Sequence, residues 1–155
     1  MQQYFTFGFH QCRWGYKNWS EVEAVVNNYR AFNIPLENMW TDIDYMFQYR
    51  DFTNGEKKAY TVYPNTFPYP EGQAFLERLH ANGQHYIPIV DSAIYIPNPN
   101  NASDAYAPYN DGNSSGVFLK NPDGSQYIGE VWPGYTVQVH YTELLLPSLT
   151  LSKLS

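Results

Sequence analysis

The sequence has a single cysteine, Cys12, among its 155 residues. A lone thiol excludes an internal disulfide and a zinc site built from several cysteines. The simplest reading of Cys12 is a buried small residue. No apolar run reaches the ~18–20 residues that a membrane-spanning helix needs, so no membrane partner is expected. Charged residues are scarce, at 15%, and the net charge is −6 with no basic run. A nucleic-acid backbone is gripped by clustered Lys and Arg, so no nucleic-acid partner is expected either. Met1, Gln2, Gln3 and Tyr4 do not open a signal peptide. His80 and His85 straddle Gly83 and share no helix face, which leaves no metal site and no cofactor to expect.

Aromatic residues are abundant instead, with 15 Tyr, 9 Phe and 4 Trp. Low charge with many aromatics is the reverse of a disordered composition, so the chain is expected to fold, and its length suits one domain. Three N-x-S/T sequons occur, at Asn18, Asn101 and Asn113, and the last two fall in a polar stretch, as glycan acceptors do. From these sites a secreted parent protein is expected.

The hydrophobic pattern alternates strand and helix. Tyr4 to His10 is aromatic and alternating, and predicts a strand. Ser20 and Glu23 form a candidate capping box, followed by Val22, Val25, Val26 and Tyr29 at helical spacing up to Phe32. Met39 to Asp44 predicts a second strand, and Tyr45 to Pro70 a long aromatic loop. Glu71 to Asn82 predicts a second helix with Phe75, Leu76 and Leu79 apolar and Gly83 as its cap. Tyr86 to Asp91 predicts a third strand, then a long loop from Ser92 to Gly116. Val117–Leu119 and Tyr127–Val131 predict a hairpin around Asn121-Pro122-Asp123-Gly124. Alternating βαβ units imply a parallel sheet. Asp44 and Asp91 end two of the strands, where they serve either chemistry, as at the strand C-termini of a (β/α)₈ barrel, or helix N-capping. Asp42 and Asp44, two apart, would share one face of a strand. Trp40 reads as barrel core and His10 as a hydrogen-bonded structural histidine.

Four stretches carry a resemblance. They are Phe7 to Tyr16 (FGFHQCRWGY), Met39 to Met46 (MWTDIDYM), Ile89-Val90-Asp91, and Gly129 to Gly134 (GEVWPG). In this order they resemble the start of the catalytic barrel of glycoside hydrolase family 31, in its α-glucosidase branch. The resemblance implies the first three βα units of a (β/α)₈ TIM barrel, with a long loop after the third strand. It assigns 1–137 to that barrel and leaves 138–155 as an unrelated tail, disordered or mis-spliced; the N-terminal β-sandwich of family members is not seen ahead of residue 1. It implies retaining hydrolysis of terminal α-linked glucose from oligosaccharides such as maltose. Neither the W-x-D-M-N-E stretch that carries the family's nucleophile nor the downstream acid occurs here, so the chain alone is expected to be inactive. By the resemblance, Asp42 accepts hydrogen bonds from sugar hydroxyls, Ile43 and Ile89 line the glucose pocket, Trp132 packs on the sugar, and Trp14 stands at the pocket mouth or packs under its loop. Asp91 is a further substrate-binding candidate. Asp44 pairs either with sugar or with Arg13 or Arg50. The segment Phe52 to Pro70, with Gly55-Glu56-Lys57-Lys58, departs from the family pattern. A non-catalytic carbohydrate-binding module, a partner-binding remnant and an α-xylosidase fragment are the alternatives.

Overall fold

The computed structural model describes residues 1–53 and 67–140. The chain divides into two compact units, Met1–Val90 and Asp91–Ser155. The first is built on a parallel sheet of β1 (His10–Gln11), β2 (Asn38–Thr41) and β3 (His85–Pro88), in the order β1-β2-β3. β2 is central, pairing His10 with Asn38 on one side and Asn38 to Thr41 with His85 to Pro88 on the other. Parallel neighbours need a long crossover, supplied by α1 (Trp19–Ala31) and α2 (Tyr69–Ala81).

The core lies between this sheet and the two helices. Val22 and Val26 of α1, Phe75 and Leu79 of α2, and Met39 of β2 are buried, with Val25, Tyr29 and Leu76 partly buried against them. Each fully buried large apolar side chain contributes about 1.5–3 kcal/mol relative to exposure. Trp19 joins the layers: its ring meets Phe67 at 5.1 Å, Phe75 at 5.7 Å and Tyr86 at 5.8 Å, and its Nε1–H donates to the Pro68 carbonyl at 3.1 Å. Burial pushes the Tyr86 phenol up to about 12, against the opposing hydrogen bond with the Thr41 hydroxyl.

The second unit holds an antiparallel sheet of β4 (Ala93–Tyr95), β5 (Gly129–Val131) and β6 (Gly134–Gln138), in the order β4-β6-β5. Its core is Ile94, Tyr106, Phe118 and Val137. A helix, α3 (Ala107–Ser115), ends at Gly116, whose φ of 68° is the left-handed conformation glycine adopts freely.

Several sequence expectations are corrected. Tyr4–Phe7 is a 3₁₀ turn rather than strand, closed by Gly8 N–H donating to Phe5 at 3.1 Å. The alternation misled because Tyr4, Phe7 and Phe9 are exposed rather than packed on one face. The helix cap is Asn18, not Ser20: Glu21 N–H donates to Asn18 Oδ1 at 2.8 Å, and Glu21 accepts from Lys17 N–H at 2.7 Å. Glu23 instead takes a bidentate hydrogen bond from Arg78 of α2, at 2.7 and 2.9 Å. The second strand stops at Thr41, so Asp42 and Asp44 do not lie on a strand face. The third stops at Pro88 and does not reach Asp91. Within 92–116, expected as loop, lie β4, a 3₁₀ turn and α3. The turn at Asn121–Gly124 forms, with Gly124 N–H donating to Asn121 at 2.9 Å, but the hairpin of regular strands is the later one, β5–β6. The boundary at 137 falls inside β6: Gln138 pairs with Ala93, and His140 N–H donates to Val117 at 2.8 Å. Residues 55–58 and 141–155 lie outside the described residues.

Gly72, buried in α2, reports on how closely α1 and α2 approach. A Cβ there would meet the Trp19 indole at 2.6 to 2.7 Å. Alanine in a helix interior otherwise gains about 1 kcal/mol over glycine, whereas overpacking costs about 1–3 kcal/mol. Gly72→Ala is therefore expected to lower the thermal melting point of the chain. A raised melting point would mean that Trp19 moves aside and the helices are not in close contact.

Candidate active-site wall

Parallel register places the C-terminal ends of β1, β2 and β3 on one edge of the sheet. Just beyond them run Cys12 to Tyr16, Asp42 to Tyr45, and Ile89. Trp14, Asp42, Ile43 and Ile89 thus follow the same edge, where barrel enzymes gather functional groups.

Asp42 is half-buried and caps a 3₁₀ turn, Ile43–Tyr45, with Oδ1 accepting from the Ile43 N–H at 2.7 Å. Its second oxygen, Oδ2, takes no hydrogen bond among the described residues. One oxygen is therefore held in place and the other is open to a donor. Ile43 is buried, which anchors the turn. Trp14 is 64% exposed, so its indole is presented to solvent rather than packed under its loop. Cys12 is exposed, contrary to the buried role expected. Desolvation of its sulfur, then the Asp42 carboxylate, holds its thiol above the ordinary 9.0.

The same turn reaches both neighbouring strands. Asp44 Oδ2 accepts from the Gly15 N–H at 2.8 Å, across 29 residues of sequence. This replaces the Arg13 or Arg50 pairing expected; Arg13 acts on Asp44 only through a minor Coulombic attraction. On the other side the Tyr45 hydroxyl donates to the Ile89 carbonyl at 2.7 Å. Past the turn, Gln48, Tyr49 and Phe52 have positive φ. Three non-glycine residues in that region so close together are backbone strain, of a kind that gathers at functional sites.

The opposite face of the sheet from the helices carries a polar cluster. Trp40 Nε1–H donates to His10 Nδ1 at 2.9 Å, so that nitrogen bears no proton. Nε2, 3.0 Å from the Thr6 carbonyl, then carries the proton and donates it. His10 is a hydrogen-bonded structural histidine, and Trp40 holds its ring orientation. Sequence reasoning did not find Tyr45, nor the Asp44 link to Gly15. No motif encodes a hydrogen bond between two loops.

In the second unit, Trp132 sits at the tip of the β5–β6 hairpin, followed by Pro133 and by Gly134 at φ 110°. It is 69% exposed. Asp91 is half-buried just ahead of β4. The three sequon asparagines are exposed. Asn18 spends its carbonyl on capping α1, and Asn113 lies in the last turn of α3. Asn101 Oδ1 accepts from Ser103 N–H at 3.1 Å and from Ser103 Oγ at 2.7 Å. Among the described residues no three His, Cys, Asp or Glu side chains gather to hold a metal, and no helix is long and apolar enough to cross a membrane. A cleft lined by Tyr29, Arg30, Leu36 and Gln84 opens at the other end of the first unit, ahead of β2 and β3 and away from Asp42.

Residues 1–147 match the family model for the glycosyl hydrolases family 31 TIM-barrel domain. The chain belongs to glycoside hydrolase family 31, and its parallel β-α-β-α-β unit is part of a (β/α) barrel, with no closed barrel in this segment. The match runs past residue 137, as β6 does. Over 137 residues the chain is 61% identical to an alpha-glucosidase of Aspergillus niger, an alignment covering 88% of this chain and 13% of that protein. It is 57% identical over 138 residues to Glucoamylase 1 of Candida albicans, covering 88% of this chain and 14% of the relative. A crystal structure of the glucosidase II alpha subunit with Glc1Man2 bound superposes with a TM-score of 0.71 at 31% identity, over 87% of this chain and 13% of the other. The chain thus spans about an eighth of the length of these relatives.

Asp44 generates a pH prediction. Burial, the largest influence, holds its carboxyl above the usual 3.8; the Gly15 N–H and Arg13 pull it down, and Asp42 pushes it up. The folded chain therefore keeps this proton where the unfolded chain has already released it. Stability falls as pH rises from 3.8 toward the folded value. Asp44→Asn keeps an acceptor and removes the charge. Its melting point relative to the parent chain is expected to rise between pH 3 and pH 6, in a thermal melt series. A relative fall over that range would show the sign to be reversed.

Proposed function

We propose that this chain is the opening segment of the catalytic barrel of an α-glucosidase, comprising its first three βα units with a long excursion after the third strand. The enzyme containing it hydrolyses terminal α-linked glucose from oligosaccharides such as maltose, with retention. The observation that carries this reading is Asp42: a carboxylate at the C-terminal end of the central strand, one oxygen fixed by Ile43 and the other open. A sugar hydroxyl donating to it makes a charge-assisted hydrogen bond, stronger than a neutral one, and a sugar lacking that hydroxyl leaves the carboxylate unpaired. Ile89 supplies apolar wall beside it, while Ile43, expected to line the pocket, is buried and anchors the turn instead. Trp132 offers an exposed indole on a short hairpin, suited to the C–H face of a pyranose, and Trp14 offers a second on its own loop. Asp91 is a further hydroxyl acceptor.

Chemistry needs two more carboxyl groups, about 5–5.5 Å apart in a retaining glycosidase. The nucleophile motif and the acid do not occur in this sequence, so this segment binds and orients glucose without cleaving it. Purified alone, the 155-residue chain is expected to show no turnover of maltose. In the enzyme that contains it, Asp42→Ala is expected to lower kcat/KM on maltose roughly tenfold to a hundredfold, the loss of about 1.5–3 kcal/mol from one charged hydrogen bond. An unchanged kcat/KM would remove Asp42 from the glucose site.

We also propose that the enzyme matures in the secretory pathway. The three sequons support this, as does the similarity to an endoplasmic-reticulum glucosidase II. Of the three, Asn101 is the acceptor best presented, because it caps only a short exposed 3₁₀ turn, Ala102–Asp104, whereas Asn18 caps α1 and Asn113 lies within α3. Expressed with a secretion leader, the chain is expected to lose one glycan's mass on Asn101→Gln, read by endoglycosidase digestion and mass spectrometry. A glycan carried at Asn18 or Asn113 and absent from Asn101 would refute the choice.

A further inference from the structure

We propose that Asp44 and Tyr45 are positioning residues: from the 3₁₀ turn that follows Asp42 they fix the two neighbouring strand exits, Asp44 holding the Trp14–Gly15 loop and Tyr45 holding Ile89. The use made of Trp14 and Ile89 rests on the glucoside-pocket reading above, while the two ties rest on geometry alone.

The exits need such ties. β1 pairs over only two residues, so the ladder ends at Gln11 and gives nothing to Cys12 to Tyr16. Gly15 turns there with φ 106°, a conformation that suits glycine, and its N–H needs an acceptor from elsewhere. Asp44 supplies it at 2.8 Å. On the other side β3 ends at Pro88, and Ile89 makes the last rung with β2 before the chain leaves the sheet. Ile89 is held there by one backbone and one side-chain hydrogen bond. Its N–H donates to the Thr41 carbonyl at 3.0 Å, and its carbonyl accepts from the Tyr45 hydroxyl.

The turn that carries both ties is itself rigid. The Ile43 N–H is taken by Asp42, the Met46 N–H donates to the Ile43 carbonyl at 3.0 Å, and Ile43 and Met46 are both buried. Four consecutive residues therefore do separate jobs. Asp42 faces the ligand, Ile43 anchors, Asp44 reaches toward β1 and Tyr45 toward β3. A shift of this turn would carry the Trp14 and Ile89 loops with Asp42, so that the wall moves as one piece.

The test uses the full chain and no sugar. Trypsin cleaves after Arg13, two residues before Gly15, and after Arg30 at the end of α1, which serves as the internal reference. The ratio of the two rates is measured at pH 8, together with hydrogen exchange of the peptides spanning residues 12–16 and 86–91 by mass spectrometry. A charged hydrogen bond is lost in Asp44→Ala, which should raise the relative cleavage after Arg13 about tenfold. Asp44→Asn retains an acceptor oxygen and should stay within about threefold of the parent chain by the same scale, whereas Asp44→Leu, of similar size but with no acceptor, should rise with Asp44→Ala. Tyr45→Phe should leave Arg13 unchanged and speed exchange only in 86–91. Equal relative cleavage in all the chains overturns the proposal, and so does a rise at both sites together, which would mean global loosening. An inert Asp42→Ala in the glucosidase assay would sink the pocket reading and leave this result standing.

Discussion

The first unit depends on β2 being hydrogen-bonded along both edges and covered on both faces. Asn38, Met39 and Thr41 have no exposed surface, and Trp40 is held from its ring nitrogen. A central parallel strand cannot be reached from its neighbours by tight turns, so the chain must cross over twice. α1 and α2 provide those crossovers and the apolar layer that covers Met39. Trp19, which opens α1 and leans on Gly72 of α2, binds the two crossovers to each other. On the far face His10 satisfies Trp40 and Thr6. The strand therefore tolerates little displacement in any direction.

That rigidity has a direction. All three strands end on one edge, and the residue that ends the central one is followed at once by Asp42. A carboxylate in that place inherits the precision of the strand, which a loop of the same length would not supply. The 3₁₀ turn spreads this precision sideways. Gly15 and Ile89 lie just past the strands they follow, and side chains of the same turn hold both: Asp44 accepts from the Gly15 N–H, and Tyr45 donates to the Ile89 carbonyl. The glucoside-pocket proposal gives a carboxylate in that place a role. The hydrogen bonds account for why it stands still.

The second unit obeys different rules. Its sheet is antiparallel and small, its core rests on Ile94, Tyr106, Phe118 and Val137, and its outward features are exposed aromatics. Trp132 is displayed by a hairpin in which Pro133 restricts the backbone and Gly134 takes a positive φ. Such a turn presents a large apolar ring with little loss of conformational freedom on binding, which suits a stacking contact.

The helical periodicity of Val22, Val25, Val26 and Tyr29, and of Phe75, Leu76 and Leu79, was legible in the sequence, because an apolar stripe is a local pattern and both helices bury that stripe. The βαβ alternation and the family followed from the same kind of local reading, and so did the turn at Asn121 to Gly124. Strand ends were not legible. Tyr4 to His10 alternates as a strand should, yet Tyr4, Phe7 and Phe9 stay exposed, Tyr4–Phe7 closes into a 3₁₀ turn, and strand begins only at His10. Asp44 looked like one more strand residue or an ion-pair partner. It is neither, because the donor it meets is a backbone N–H supplied by a loop 29 residues away. Local composition thus determined the two crossover helices, the βαβ alternation and the family, but not β4, α3 or β6. Only tertiary structure decided where each strand stops and which side chains tie their exits together, since those contacts join groups far apart in the chain and leave no periodic trace in it.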